Sequence, residues 1–114
     1  MPEPRGQLLE TFVRAELERL ASWSSTKPRI HHYRTHAGAE IDFVLEDRRG
    51  QCVAVEVRAQ RRIDTCDIAP MKSVAVDLGE QFVRSVVLHL GDSVLPMAGR
   101  IQAVPVQALW LWRA

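Results

Sequence analysis

The stretch GAEIDFVLEDRRGQCVAVEVR, residues 38–58, decides the fold because it holds two strand-like segments joined by a polar turn. Residues 40–46 and residues 52–58 alternate apolar and polar side chains, which is typical of strands with one buried face. Each segment also carries a carboxylate, Asp42 or Glu56, where a strand would favour Val or Ile. The stretch therefore predicts two neighbouring strands with charged groups inside a largely buried sheet.

The segments before this stretch predict a helix and one more strand. Residues 1–5 contain two prolines and predict a loose lead-in. From Gly6 onward an apolar stripe recurs at helical spacing, made by Leu9, Phe12, Val13, Leu17 and Leu20. Residues 30–36 suit an edge strand, so the three strands together predict an antiparallel meander.

The segments after it predict a helix and a buried strand. We expect Asp67 to cap the helix, Pro70 to lie in its first turn and Gly79 to close it. One face of this helix is apolar, through Ile68, Met71, Ala75 and Leu78. Residues 83–90 form a nearly unbroken apolar run, which is typical of a strand covered on both faces. A strand, a helix and a second buried strand imply a right-handed crossover and a parallel pair.

The whole pattern predicts one α/β domain over residues 1–114, a sandwich with a mixed central sheet in the order helix, three strands, helix, strand. Residues 94–114 predict a further short strand and then an aromatic-rich end. There, Trp110 and Trp112 either pack on the core or mark a partner surface.

Composition narrows the function classes. The net charge of +1 gives no global electrostatic argument for nucleic acid, so any basic surface must be local. The sequence has no Walker GxxxxGK motif, hence no ATPase module, and no apolar run of membrane-spanning length. Without a signal-peptide pattern, the expected location is the cytoplasm, and we expect Cys52 and Cys66 to be reduced thiols.

Strand alternation predicts where the charged side chains point. It places Ile41, Phe43 and Leu45 on one face and Asp42 on the other. It likewise separates the valines at 53, 55 and 57 from Glu56 and Arg58. If the two valine-rich faces lie together, Asp42, Glu56 and Arg58 project from the same side of the sheet.

Two carboxylates on one half-buried face require a neutralising partner. A divalent cation with oxygen ligands is one candidate, and Arg58 is another. The simpler alternative is an ordinary ion pair between Glu56 and Arg58 on a solvated face. A third acid lies on the first helix: Glu16 falls amid the apolar stripe and either lines a cleft or forms a salt bridge, whereas Glu10 falls at the stripe's edge.

The element order, with an acid on the second strand and an acid-x-base motif on the third, resembles the PD-(D/E)xK nuclease superfamily and its restriction-endonuclease-like fold. The matching residues are Asp42 and Glu56-Val57-Arg58. The chain is also similar to the C-terminal domain of a bacterial and archaeal AAA+ ATPase family of poorly defined function. That likeness rests on Gly6-Gln7-Leu8-Leu9-Glu10, Tyr33-Arg34-Thr35 and Gly38-Ala39-Glu40-Ile41-Asp42-Phe43-Val44.

The resemblance implies a metal site that acts on nucleic acid. Asp42 and Glu56 would ligate Mg²⁺, or Mn²⁺ as its substitute, the Val57 carbonyl would be a further ligand, and Glu10 would complete the acidic cluster. It also implies partners: an AAA+ ATPase module or a homologous chain. A homodimer is a further expectation, and no membrane partner is expected because no apolar run has membrane-spanning length.

The sequence departs from the superfamily at Arg58, where the motif has lysine. An arginine can still bind a phosphate bidentately, but it does not give up its proton and is a poor general base. Two functions therefore stay open. One is a magnesium-dependent phosphodiesterase whose activity is weakened or lost, and the other is a non-catalytic interaction or regulatory domain of an AAA+ ATPase system.

Histidines and arginines offer weaker signals. His32 and His36 would point to the same side of a strand but lie roughly 13 Å apart, too far to share an ion, so with His31 they would contact phosphate or water. His89 sits in an apolar run and predicts a hydrogen-bonded core histidine. The basic residues form either a local phosphate-binding patch or a solvated loop; they are Arg48, Arg49, Arg58, Arg61 and Arg62.

Overall fold

The fold is known from a computed structural model that describes residues 4–111, with side chains for residues 5–109. The predicted element order is confirmed, and the strands after residue 90 number two rather than one. In chain order the elements are α1 (Pro4–Trp23), β1 (Arg29–Arg34), β2 (Glu40–Glu46), β3 (Cys52–Val57), α2 (Ala69–Leu78), a 3-10 turn (Gly79–Gln81), β4 (Phe82–His89), β5 (Leu95–Ala98), β6 (Ile101–Pro105) and α3 (Ala108–Leu111).

The six strands form one mixed sheet in the order β1-β2-β3-β4-β6-β5. The first three strands are the predicted antiparallel meander, and β3 and β4 are the predicted parallel pair. β6 is parallel to β4, and β5 runs antiparallel to β6 at the edge. The expected mixed α/β sandwich is confirmed.

Helices α1 and α2 pack on opposite faces of the sheet and define two cores. The apolar stripe predicted for α1 is confirmed, with Val13 and Leu17 buried against Phe43, Val55 and Leu88. The predicted apolar face of α2 is also confirmed, with Val74 added to it; it packs against a core that includes Ile41, Val44, Ala54 and Val87. Within residues 4–111, no helix is long and apolar enough to cross a bilayer.

The helix boundaries correct two predictions. Helix α1 begins at Pro4, because proline is tolerated in the first turn, so the lead-in at 1–5 is wrong for its last two residues; residues 1–3 lie outside the described chain. Helix α2 begins after Ile68 without a side-chain cap, so Asp67 is not its N-cap. Asp67 Oδ2 instead accepts hydrogen bonds from Gln60 Nε2 and the Asp64 N–H. Pro70 and Gly79 lie where the sequence placed them.

A β-bulge in β2 corrects the predicted side-chain alternation. His31 pairs with Val44 and Tyr33 pairs with Ile41, so two residues of β2 oppose His32 alone. The extra residue shifts the alternation, and Ile41 belongs to the core beneath α2 while Phe43 belongs to the core beneath α1. Ile41 therefore does not share a face with Phe43. The bulge contains Asp42, the acid that the sequence singled out.

Candidate carboxylate site

The carboxylates of β2 and β3 meet where the backbone pairing of these strands ends. The last residue pair of the β2–β3 ladder is Phe43 with Val55. One step further, Glu56 Oε1 accepts the Asp42 N–H at 3.0 Å, and Asp42 Oδ2 accepts the Val57 N–H at 2.8 Å. Carboxylate oxygens thus replace the missing carbonyl partners at the end of the ladder. This reciprocal pair holds both side chains in defined positions.

Arg58 lies directly beside this carboxyl pair. Its backbone N–H donates to the Leu88 carbonyl at 2.8 Å, which fixes it at the end of β3. Its Nη2 contacts Glu56 Oε2 at 3.1 Å, and its Nε is buried without a hydrogen-bond partner among the described residues. The Arg58 side chain as a whole is 34% exposed, and its Nη2 end contacts Glu56. The predicted convergence of Asp42, Glu56 and Arg58 is present in the structure.

Glu56 is the member of the carboxyl pair whose pKa is raised. Burial raises the pKa of Glu56 to about 8, and the charge of Asp42 and a hydrogen bond between the two carboxyl groups act in the same direction. The Asp42 N–H and Arg58 act against this rise in pKa without cancelling it. Ionising two adjacent acids costs free energy because the two negative charges repel each other. Such a pair is therefore expected to share one proton.

Glu10 joins the site from α1. It lines a cleft of about 530 Å³ together with Asp42, His32, Arg34 and Glu40 among others. Burial and then the charge of Asp42 raise the pKa of Glu10, and His32 and Arg14 oppose that rise. The structure therefore places Glu10, rather than Glu16, near the carboxyl pair. Glu16 forms a salt bridge with Arg19 at 2.9 Å.

His32 is a member of this cleft whose position the sequence did not reveal. Its ring stacks on Phe43 with a centroid distance of 5.8 Å, and its Nε2 lies 3.3 Å from Arg14 Nη1. Because a guanidinium only donates, this contact makes Nε2 the acceptor and puts the proton of the neutral ring on Nδ1. The bulge sets His32 opposite Asp42, and no sequence pattern of alternating residues predicts a bulge.

The other histidines have separate partners. His31 lies 3.4 Å from Glu46, and His36 contacts Asp77 through its backbone N–H and its Nδ1. His89 is confirmed as a hydrogen-bonded core residue: its Nδ1 accepts the Gly91 N–H at 2.9 Å, and its Nε2 lies 3.1 Å from the Ser93 carbonyl oxygen.

Of the basic residues in the predicted phosphate patch, Arg61 pairs with Asp92 at 3.5 Å. Cys52 is buried, Cys66 is exposed, and both are free thiols. The side chains of Trp110 and Trp112 lie outside the described part of the chain.

The donor set can be compared with what a divalent cation needs. Mg²⁺ in proteins takes one or two carboxylates and completes its octahedron with water and phosphate oxygens. Asp42 and Glu56 supply such a pair, and burial first and the charge of Asp42 second raise the pKa of Glu56. Within the described chain, no three His, Cys, Asp or Glu side chains group closely enough to hold an ion by themselves. The pair suits a cation that keeps most of its waters, provided that Arg58 moves away from Glu56 Oε2.

Fold and site define a mixed α/β sandwich domain with two adjacent carboxyl groups at the end of a sheet ladder and an arginine beside them. Residues 5–109 match the model of a family described as Domain of unknown function (DUF4143), and the chain belongs to that family. Domains of this family are typically found alongside AAA ATPase domains. No curated protein and no solved structure matches the chain.

Proposed function

We propose that this chain is a nuclease-fold domain of the PD-(D/E)xK type, similar to the C-terminal domain of an AAA+ ATPase family. It binds the phosphate backbone of nucleic acid at the carboxylate site and has weak phosphodiesterase activity or none. The observation that carries the proposal is the contact of Arg58 with Glu56 beside Asp42. Arg58 occupies the position at which the motif has lysine. Its positive charge lies beside the acids that would hold a cation.

The chain's own residues would divide the work as follows. Asp42 and Glu56 would hold Mg²⁺ or Mn²⁺, with the Val57 carbonyl as a further ligand and Glu10 as the outer acid. When bound, the cation would supply a polarised phosphate and a water of lowered pKa. Arg58 would turn from Glu56 to a phosphate oxygen, which it can grip with two N–H groups. It would not remove a proton from water, because guanidinium stays protonated.

The first test of this proposal is calorimetric. Mn²⁺ is titrated into the wild type and into Asp42→Asn, which removes the charge and keeps the size of the side chain. We expect binding heat in the wild type and none in the variant. Glu40→Gln serves as the control, because Glu40 lines the same cleft with an exposed side chain paired to Arg34 and not to Glu56. Absence of heat in the wild type and in Arg58→Lys would refute the metal site.

The second test is cleavage of a labelled DNA duplex by the wild type, by Arg58→Lys and by Arg58→Lys combined with Asp42→Asn. We expect the lysine variant to gain activity over the wild type and the double variant to lose that gain. A gain that survives loss of Asp42 would come from a contaminating nuclease. If all three proteins neither cleave nor bind DNA, the nuclease-type function is excluded.

A second candidate is a non-catalytic interaction or regulatory domain of an AAA+ ATPase system. It is favoured by the family's usual neighbours and by the Arg58–Glu56 ion pair, which neutralises the site without a cation. In that case Asp42→Asn and Arg58→Lys alter only the stability of the domain. The calorimetric and cleavage measurements above separate the two functions.

A further inference from the structure

His32 is an exposed residue whose ring is held in place at the cleft of about 530 Å³ beside the carboxyl pair. The imidazole stacks on Phe43 at a centroid distance of 5.8 Å and an interplanar angle of 28°. Phe43 is only 1% exposed and belongs to the core beneath α1, so it is a firm support for the ring. Among the described residues, no second ring stacks on His32. The cleft therefore contains a planar ring that has an aromatic partner on one side only.

A second contact fixes the orientation of this ring from α1. Arg14 Nη1 lies 3.3 Å from His32 Nε2, and Arg14 Nε in turn forms a salt bridge of 2.9 Å with Glu18. A ring that is ordered before a ligand arrives loses less conformational entropy on binding than a free side chain does. Ordered aromatic rings, including histidine, are the groups on which proteins stack the bases of single-stranded nucleic acid.

The charge of the cleft disfavours a phosphate and suits a neutral group. Three of its lining residues are acids, namely Glu10, Glu40 and Asp42. The one arginine in this lining, Arg34, already forms a salt bridge of 2.9 Å with Glu40. The surplus of carboxylates repels a phosphate, whereas a nucleobase is neutral and its amino and ring N–H groups can donate to carboxylate oxygens. The volume also falls in the range of about 300–1,000 Å³ that is usual for small-ligand sites.

We propose that this cleft takes one unstacked base of single-stranded nucleic acid, and that the base stacks on the imidazole of His32. The inference rests on the proposed function, because Asp42 belongs both to the cleft and to the carboxyl pair at which the phosphate backbone would bind. A base and a phosphate of one strand would then occupy neighbouring parts of the same site. An intact duplex does not offer such a base, because its bases are stacked and paired within the helix. The substrate class is therefore single-stranded DNA or RNA.

The test is fluorescence anisotropy with a short labelled strand that has no self-complementarity. The strand is used as DNA, as RNA of the same sequence and as DNA annealed to its complement, all at one salt concentration. We expect the wild type to bind a single strand more tightly than the duplex, and the tighter of the two single strands identifies the source of the base. His32→Ala should weaken single-strand binding by about 5- to 150-fold, the usual effect of losing one base–aromatic stack, and should leave duplex binding unchanged.

Two further variants make the test specific for stacking at this ring. His32→Phe keeps a planar ring but has no ring nitrogen that could contact a phosphate, so it should retain most of the wild-type affinity. His31→Ala removes the preceding histidine, which contacts Glu46 and does not line the cleft, so it should bind like the wild type. Urea unfolding of each variant separates a loss of folding from a loss of binding.

Three outcomes would overturn the inference and leave the proposed function standing. They are equal affinity of the wild type for single strand and duplex, unchanged binding in His32→Ala, and a loss in His32→Phe as large as that in His32→Ala. The last result would show that the ring nitrogens, and not stacking, make the contact. If the wild type binds neither the single strands nor the duplex, the proposed function fails, and this inference fails with it.

Discussion

Replacing Glu56 with Gln should abolish a pH dependence of stability that originates at the carboxyl pair. In the folded chain Glu56 keeps its proton up to a pKa of about 8, whereas its ordinary value in an unfolded chain is 4.5. At a pH between these two pKa values, Glu56 is ionised in the unfolded chain and protonated in the folded chain. The contribution of Glu56 to the free energy of unfolding therefore has its full value below pH 4.5 and decreases as the pH rises toward 8.

The expected magnitude follows from the width of that window. Each pH unit inside it lowers the free energy of unfolding by about 1.4 kcal/mol, and the full window corresponds to about 5 kcal/mol at most. The side chain is only 5% exposed, so solvent screens this contribution weakly. The amide of Glu56→Gln cannot serve both neighbouring donors, Arg58 and the Asp42 N–H, which adds a cost of roughly 1–3 kcal/mol at every pH.

The assay is urea unfolding followed by circular dichroism at pH 5, 6, 7 and 8. The stability advantage of the wild type over Glu56→Gln should shrink by about 1.4 kcal/mol per pH unit. Glu40 lies on β2 with a side chain that is 76% exposed, so the stability of Glu40→Gln should change with pH in the same way as that of the wild type. A constant difference between wild type and Glu56→Gln across this range would refute the proton-sharing pair, because Glu56 would then ionise alike in both states.

Three further predictions test the packing and anchoring of the sheet. Gly91→Ala should destabilise the fold by about 1–3 kcal/mol in urea unfolding, because the new Cβ would lie 2.3 Å from the Arg61 carbonyl oxygen. Gly6→Ala, with open space around its helical site, should instead be neutral or stabilise by up to about 1 kcal/mol. Asp77→Asn should lower the pKa of Tyr33, which burial and then the hydrogen bond and charge of Asp77 hold above its ordinary 10.0. Tyr33 is the only tyrosine, so the ultraviolet absorbance of its phenolate reports this pKa directly, and an unchanged midpoint would contradict the Tyr33–Asp77 contact.

The element order of the fold could be predicted because the hydrophobic periodicity and the turn-forming residues indicate the same element boundaries along the chain. Alternation over residues 40–58 predicts two strands, and the apolar run at 83–90 predicts a central strand. The sequence could not show whether Asp67 caps helix α2, because Asp is favoured at any position where nearby backbone N–H groups lack partners. Asp67 serves the loop N–H of Asp64 rather than the first turn of α2.

The composition of the site was only partly predictable from the sequence. Asp42, Glu56 and Arg58 could be brought together because neighbouring strands hold their side chains in register. Their hydrogen bonds could not be predicted, because these depend on where the ladder ends and on a bulge that sequence periodicity does not encode. The hydrogen bond from Tyr33 to Asp77 on α2 joins residues that are 44 positions apart, so no local sequence pattern predicts it.

The end of the β2–β3 ladder explains how one carboxyl pair can have two uses. Asp42 and Glu56 accept the N–H groups that the interrupted ladder leaves unpaired, so both are needed for the fold whatever the site binds. Removing either acid therefore changes stability as well as any ligand affinity, and loss of activity in Asp42→Asn alone would not identify a cation ligand. Arg58 differs in this respect, because the hydrogen bond of its side chain goes to the Glu56 carboxyl and not to a backbone group. Arg58→Lys consequently separates chemistry from folding, and the result at position 58 discriminates best between a nuclease-type site and an interaction domain.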